Sequence, residues 1–122
     1  MQNRTIVFLE DDEALRNYYS AVLEARGYTV VQDRNSRHIT ELFETHHPCL
    51  LISDLVMPDH EGIEGIFSIM GKFNVPVIAI SSYPQYLHIA QPMVRMTLKK
   101  PINADELLHA VETVMAQEGA HP

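Results

Sequence analysis

Five short apolar runs, each followed by a stretch of helical periodicity, constrain this chain more than any other feature. The runs are Thr5–Leu9 (TIVFL), Tyr28–Val31, Cys49–Ser53 (CLLIS), Val75–Ile80 (VPVIAI) and the weaker Val94–Leu98. Each has the length of a strand. Cys49–Ser53 is apolar at nearly every residue, as expected of a strand covered on both faces. Between the runs, Leu15, Tyr18, Tyr19, Val22 and Leu23 recur on one face of a helix, and Gly27 stands where a helix C-terminal cap is expected. Ser36 is read as the N-cap of a second helix that buries Ile39, Leu42 and Phe43. Ile63, Ile66, Phe67 and Met70 mark the buried face of a third. Pro84 suits the first turn of a fourth, which Pro92 keeps short. Asn103 and Glu106 have the spacing of a capping box before a last helix, buried through Leu107, Leu108, Val111, Val114 and Met115. The polar tail from Gln117 is expected to fray. Strand–helix alternation with short connections predicts one α/β domain over residues 1–122. It is a doubly wound (βα)5 unit whose parallel sheet carries helices on both faces.

Composition agrees with one globular domain: 46% of the 122 residues are apolar and 20% charged. No apolar run approaches the roughly 20 residues of a membrane span, and the first residues lack the pattern of a secretory signal. The single cysteine, Cys49, forms no internal disulfide and reads as a small buried hydrophobe, so a cytoplasmic location is expected. Nine basic against sixteen acidic residues give a net charge of −7, which argues against direct binding to nucleic acid or an anionic membrane. A basic partner or a divalent cation remains compatible.

In a parallel α/β sheet the ligand site lies beyond the carboxyl ends of the strands, and the chemistry-bearing residues of this chain stand there. The first run ends in Glu10, Asp11 and Asp12, the third in Asp54, the fourth in Ser81 and Ser82, and the fifth in Lys99 and Lys100 before Pro101. Two carboxylates about 5 Å apart repel by about 3 kcal/mol at an effective dielectric near 20. Such a rim therefore needs a cation or raised pKa values. Few carboxylates with room for water and phosphate suit Mg²⁺ better than a full Ca²⁺ cage. A carboxylate beside a divalent cation and a lysine ammonium is placed to accept a phosphoryl group. Asp12 sits farthest along the turn and is read as the cap of the first helix. The seven histidines, including adjacent His46 and His47 and the loop residue His60, are read as surface or helix-end residues.

Four segments in this order resemble the receiver domain of two-component response regulators. They are LEDDEALR at Leu9–Arg16, the D-x-x-M-P-x-x-x-G pattern through Asp54, Met57, Pro58 and Gly62, Ser81 closing the fourth run, and Lys100-Pro101 after the fifth. The resemblance implies a flavodoxin-like sheet of order 2-1-3-4-5. It implies Asp54 as phosphoacceptor, Asp11 as a metal-ligand carboxylate with Glu10 as its acidic neighbour, and Asp54 and the backbone carbonyl of Val56 as further ligands to Mg²⁺. Ser81 would engage the phosphoryl group and Lys100 would pair with it. The donor would be the phosphohistidine of a sensor histidine kinase or a phosphotransfer protein. The domain would catalyse its own phosphorylation and dephosphorylation without being a conventional enzyme. Its output partner is unspecified, and a phosphorylation-linked homodimer is compatible.

The chain departs from that pattern. Thr97 replaces the usual aromatic switch residue, Met93-Val94 replaces a Gly-Ala pair, and the span from Ser81 to Lys100 is about three residues short, nearly one helical turn. The resemblance implies that Val56 and Tyr83, two residues past Asp54 and Ser81, would influence the lifetime of the phosphorylated state. The altered readout region keeps open a second function, a phosphorylation-independent receiver-like adaptor. An aspartyl-phosphate hydrolase ranks lower, because Val56 stands where that class has a second carboxylate. A flavin carrier ranks lower still, because acids stand where a phosphate loop would follow the first strand.

Overall fold

Ile6, Val7, Phe8 and Leu9 are wholly buried, so β1 (Thr5–Leu9) lies inside the sheet rather than at its edge. In the computed structural model, which describes residues 3–56 and 62–119, β1 is flanked by β2 (Thr29–Asp33) and β3 (Leu50–Asp54). Beyond β3 come β4 (Val77–Ser81) and β5 (Met96–Lys99), giving five parallel strands in the order β2-β1-β3-β4-β5. This is the doubly wound flavodoxin-like order, with its topological switch between β1 and β3. All five residues of β3 and of β4 are buried, including Ser53, Asp54 and Ser81 at their carboxyl ends.

Helices cover both faces. On one, α1 (Glu13–Glu24) and α5 (Ala104–Gly119) close over Ile6, Phe8, Ile52, Ile78 and Ile80. On the other, α2 (Ile39–His46), α3 (Gly62–Ile69) and α4 (Pro84–Ala90) bury Val7, Leu9, Leu51 and Ala79. A short 3-10 turn, Gln91–Met93, links α4 to β5. No helix among the described residues is long and apolar enough to cross a membrane.

Local chemistry explains most boundaries. Asp12 caps α1, its Oδ1 accepting from Leu15 N at 3.0 Å, and Gly27 takes φ +90 just past the helix, a conformation that favours glycine. Pro84 occupies the first turn of α4. Both arms of the capping box form on α5: Glu106 N donates to Asn103 Oδ1 at 2.8 Å, and Asn103 N to Glu106 Oε1 at 3.4 Å.

Three local expectations are corrected. His38, not Ser36, holds the N-cap position of α2, with no capping bond from its side chain. Ser36 is instead buried where α3 crosses it, and a Cβ on Gly65 would lie 2.4 Å from the Ser36 Cβ. The buried side of α3 is Gly62, Gly65, Ile66 and Ile69, while Phe67 and Met70 stay 60% and 47% exposed. The glycines bring this helix in on a side that a hydrophobic count does not register. Finally, α5 stays helical past Gln117 to Gly119, where Glu118 pairs with Arg95 beside β5. Strand limits move by one or two residues: β2 and β3 start one residue later than their runs, and β4 and β5 two later. Met57, Pro58, His60 and His121 lie outside the described residues.

Candidate functional site

The sheet register brings the acidic end of β1 to the end of β3. Leu9 pairs with Ser53, Asp54 with Ile80, and Ser81 with Lys99. Glu10, Asp54, Ser81 and Lys100 therefore emerge on one rim. Asp11 joins them: carboxylate oxygens of Glu10, Asp11 and Asp54 lie within 4.8 Å of one another. Glu10 and Asp54 are buried, at 0% and 4% exposure, while Asp11 faces solvent.

Lys100 bridges the two buried acids. Its Nζ is 2.7 Å from Asp54 Oδ2 and 2.5 Å from Glu10 Oε1. The backbone of Lys100 is fixed by its N–H, which donates to the Ser81 carbonyl at 2.9 Å. The remaining oxygens also find donors. Glu10 Oε2 accepts from Asp12 N at 3.2 Å, and Asp54 Oδ1 from Val56 N at 3.1 Å. Arg16 on α1 donates to the Glu10 carbonyl at 2.8 Å and so steadies the acidic turn. Its place in LEDDEALR gave no sign of that contact.

Two buried carboxylates facing one ammonium leave a surplus of negative charge. Burial above all, with the charge of Asp54 adding to it, pushes the Glu10 carboxyl up to about 7 against the opposing pull of Lys100. Burial alone would lower the Lys100 ammonium, but its hydrogen bonds to Asp54 and Glu10 outweigh it and hold the pKa above the ordinary lysine value. The donor set is entirely oxygen, carries surplus negative charge and stands at an opening to solvent. Those properties fit a hard divalent cation such as Mg²⁺.

Beside Asp54 opens a cleft of about 190 Å³ lined by Asp54, Val56, Ser81, Ser82, Tyr83 and Lys100. Ser81 is fully buried, and its Oγ accepts from Tyr83 N at 3.0 Å. Tyr83 is half-exposed on the cleft wall, its ring edge-on to Tyr86 at 5.9 Å. Below the cleft, Gly62 closes on the main chain of Asp54, where a Cβ would lie 2.0 Å from the Asp54 carbonyl oxygen. Ser53 Oγ donates to the same carbonyl at 2.8 Å. Thr97 does not line the cleft; it sits half-buried on β5 opposite Ala79. A second hollow, about 210 Å³ between Asn74–Val77 and Pro92–Arg95, lies at the opposite ends of β4 and β5, away from the acids.

Comparison with known proteins agrees with this fold. The family model of the response regulator receiver domain matches residues 6–112. The chain is 27% identical over 118 residues to the transcriptional regulatory protein PdtaR of Mycobacterium tuberculosis, covering 93% of this chain and 58% of that protein. It thus spans little more than half the length of that relative. It is 22% identical over 118 residues to the polar-differentiation response regulator DivK of Brucella ovis, covering 92% and 96% of the two chains. A CheY-like response regulator receiver domain from Methanospirillum hungatei superposes with a TM-score of 0.89 at 20% identity, covering 97% and 98%. With its fold, its rim of acids and a family match over most of its length, the chain belongs to the response regulator receiver domains of two-component signalling.

Proposed function

We propose that Asp54 accepts a phosphoryl group from the phosphohistidine of a sensor histidine kinase or a phosphotransfer protein. The observation that carries this reading is the placement of Asp54, nearly buried, ion-paired to Lys100 and forming one wall of a cleft shared with Ser81. A carboxylate oxygen of Asp54 attacks phosphorus and the bond from phosphorus to the donor imidazole breaks; the electron pair leaves on that nitrogen, and the imidazole, protonated on its other nitrogen, departs neutral. Lys100 follows the charge onto the phosphoryl oxygens, and the Ser81 hydroxyl donates a hydrogen bond to one of them. In hydrolysis, water attacks phosphorus, the bond from phosphorus to the aspartyl oxygen breaks and leaves a carboxylate, and inorganic phosphate departs with the protons of the water. Asp11, Asp54 and the Val56 carbonyl would hold Mg²⁺, with Glu10 as the acidic neighbour. When bound, the ion supplies positive charge beside the phosphoryl oxygens. The cytoplasm, where such donors are made, is the proposed location.

Incubation with a small phosphodonor and Mg²⁺ tests the reading. The wild type gains hydroxylamine-labile label and Asp54→Asn does not. Equal labelling of the two would overturn the assignment. A phosphorylation-independent adaptor is the second reading, motivated by Thr97 and the short span before it; absence of label on the wild type would favour it.

A further inference from the structure

Lys100 is useful only if its ammonium stays between Glu10 and Asp54, yet a lysine side chain has a long flexible stem. The main chain that carries it is also sparsely held. β5 has four residues and pairs on one side only. The Lys100 N–H bonds the Ser81 carbonyl, and Pro101, the next residue, has no N–H to give. From there to the capping box at Asn103, the connection is tied to another element by a hydroxyl. Tyr19 on α1, 3% exposed, donates from its OH to the Ile102 carbonyl at 3.0 Å.

Tyr19 is itself rigidly placed. Its ring meets Phe8 of β1 edge-on, with centroids 6.0 Å apart, and packs in the same buried cluster as Ile102. Burial above all raises the phenol above its ordinary value, against the pull of its bond to the Ile102 carbonyl. A buried tyrosine needs some acceptor for its hydroxyl, and that need alone would not single Tyr19 out. The position of the acceptor does, because it lies two residues past Lys100 on the segment that fixes where the lysine stem begins.

We propose that Tyr19 is a positioning residue for Lys100: its hydroxyl, anchored on α1 and β1, fixes the β5–α5 connection through the Ile102 carbonyl and so sets the reach of the ammonium into the site. This rests on the proposed role of Lys100 in phosphoryl transfer, but the placement itself is testable without that chemistry. Tyr19→Phe keeps the ring and its packing and removes only the hydroxyl.

The test is the ¹⁵N ammonium resonance of Lys100, identified by its loss in Lys100→Met and recorded on folded protein without phosphodonor. In Tyr19→Phe this resonance is expected to shift and broaden, while the ammonium signals of Lys72 and Lys99 stay put. The rate of labelling at saturating small phosphodonor is expected to fall roughly tenfold, since a misplacement of about 1 Å costs up to about a hundredfold. A Lys100 resonance in Tyr19→Phe identical to wild type overturns the proposal, whatever the labelling shows. If the resonance moves but wild type takes no label, the positioning stands and the phosphoacceptor reading fails. A general loss of signal dispersion in Tyr19→Phe would show a packing role instead, and would also overturn the proposal.

Discussion

Lys100 Nζ lies 2.7 Å from Asp54 Oδ2, so the carboxylate at the end of β3 is ion-paired before any substrate arrives. Charge-assisted bonds of this kind are short and strong. Here the bond also keeps the ammonium in contact with the proposed phosphoacceptor. A phosphoryl group on Asp54 would bring oxygens that replace the lost carboxylate charge as partners for the same ammonium.

Asp11 and Asp12 are neighbours in sequence with different tasks. Asp12 spends its Oδ1 on the Leu15 N–H, whereas Asp11 faces the acid cluster from solvent. Asp11→Ala is expected to weaken Mg²⁺ binding by about tenfold or more. Asp12→Ala should leave affinity within about twofold and cost about 1 kcal/mol of stability through the lost cap. Mg²⁺ titration followed by tyrosine fluorescence, with thermal melts of both variants, checks the split. Equal losses of affinity would contradict it.

The raised Glu10 carboxyl predicts a stability change with a definite sign. Its pKa is about 7 in the folded protein against 4.5 for the ordinary side chain. Between those values the folded state holds a proton that the unfolded chain has released, so stability falls as pH rises. The contribution is fully present below about pH 4.5 and lost as pH passes about 7; at about 1.4 kcal/mol per pKa unit it amounts to a few kcal/mol at most. Metal-free thermal midpoints should therefore drop between pH 5 and pH 8 by more in wild type than in Glu10→Gln. Parallel profiles would mean that Glu10 does not titrate in this range.

Gly62 leaves no room for a side chain against the Asp54 carbonyl. Gly62→Ala must push the start of α3 away from the Asp54 carbonyl. A cost of about 1–3 kcal/mol, the range for overpacking, is expected. Slower labelling should accompany it even at temperatures where the variant is fully folded. Denaturant melts and labelling rates measure the two effects separately, and normal values of both would show that the start of α3 shifts at no cost.

The lifetime of the phosphorylated protein should be long. Val56 lines the cleft without a side-chain group to orient water, and the half-exposed Tyr83 ring forms part of its wall. Excluding an oriented nucleophile removes the proximity contribution to hydrolysis. Val56→Asn combined with Tyr83→Glu is expected to speed decay of the label. A double variant that decays no faster than wild type would rule out shielding.

Much of this molecule is legible in one dimension because its signals are local. Asp12 and the Asn103–Glu106 box cap their helices through bonds spanning three residues. The run at β3, apolar at nearly every residue, announces a strand covered on both faces. What stays hidden depends on distant neighbours. Ser36 has the chemistry of a cap, yet α3 buries it, and the glycine that permits this approach carries no hydrophobic signal. Glu10 reads as one acid among three; its complete burial against Lys100 follows from the β1–β3 register and a partner ninety positions away. Tyr19 falls on the expected buried stripe of α1, but its hydroxyl partner is 83 positions along the chain.

Ser81 Oγ accepts from the Tyr83 N–H at 3.0 Å, and a hydroxyl that accepts still has its own proton to give. Among the described residues no acceptor is assigned to that proton. An anionic oxygen entering the cleft can therefore be met by Ser81 without first breaking a bond at the head of α4. The reorganisation cost of binding at this wall is correspondingly small. The hydrogen bond from the Tyr83 N–H can thus stay in place at the head of α4 while the hydroxyl proton turns to the incoming oxygen.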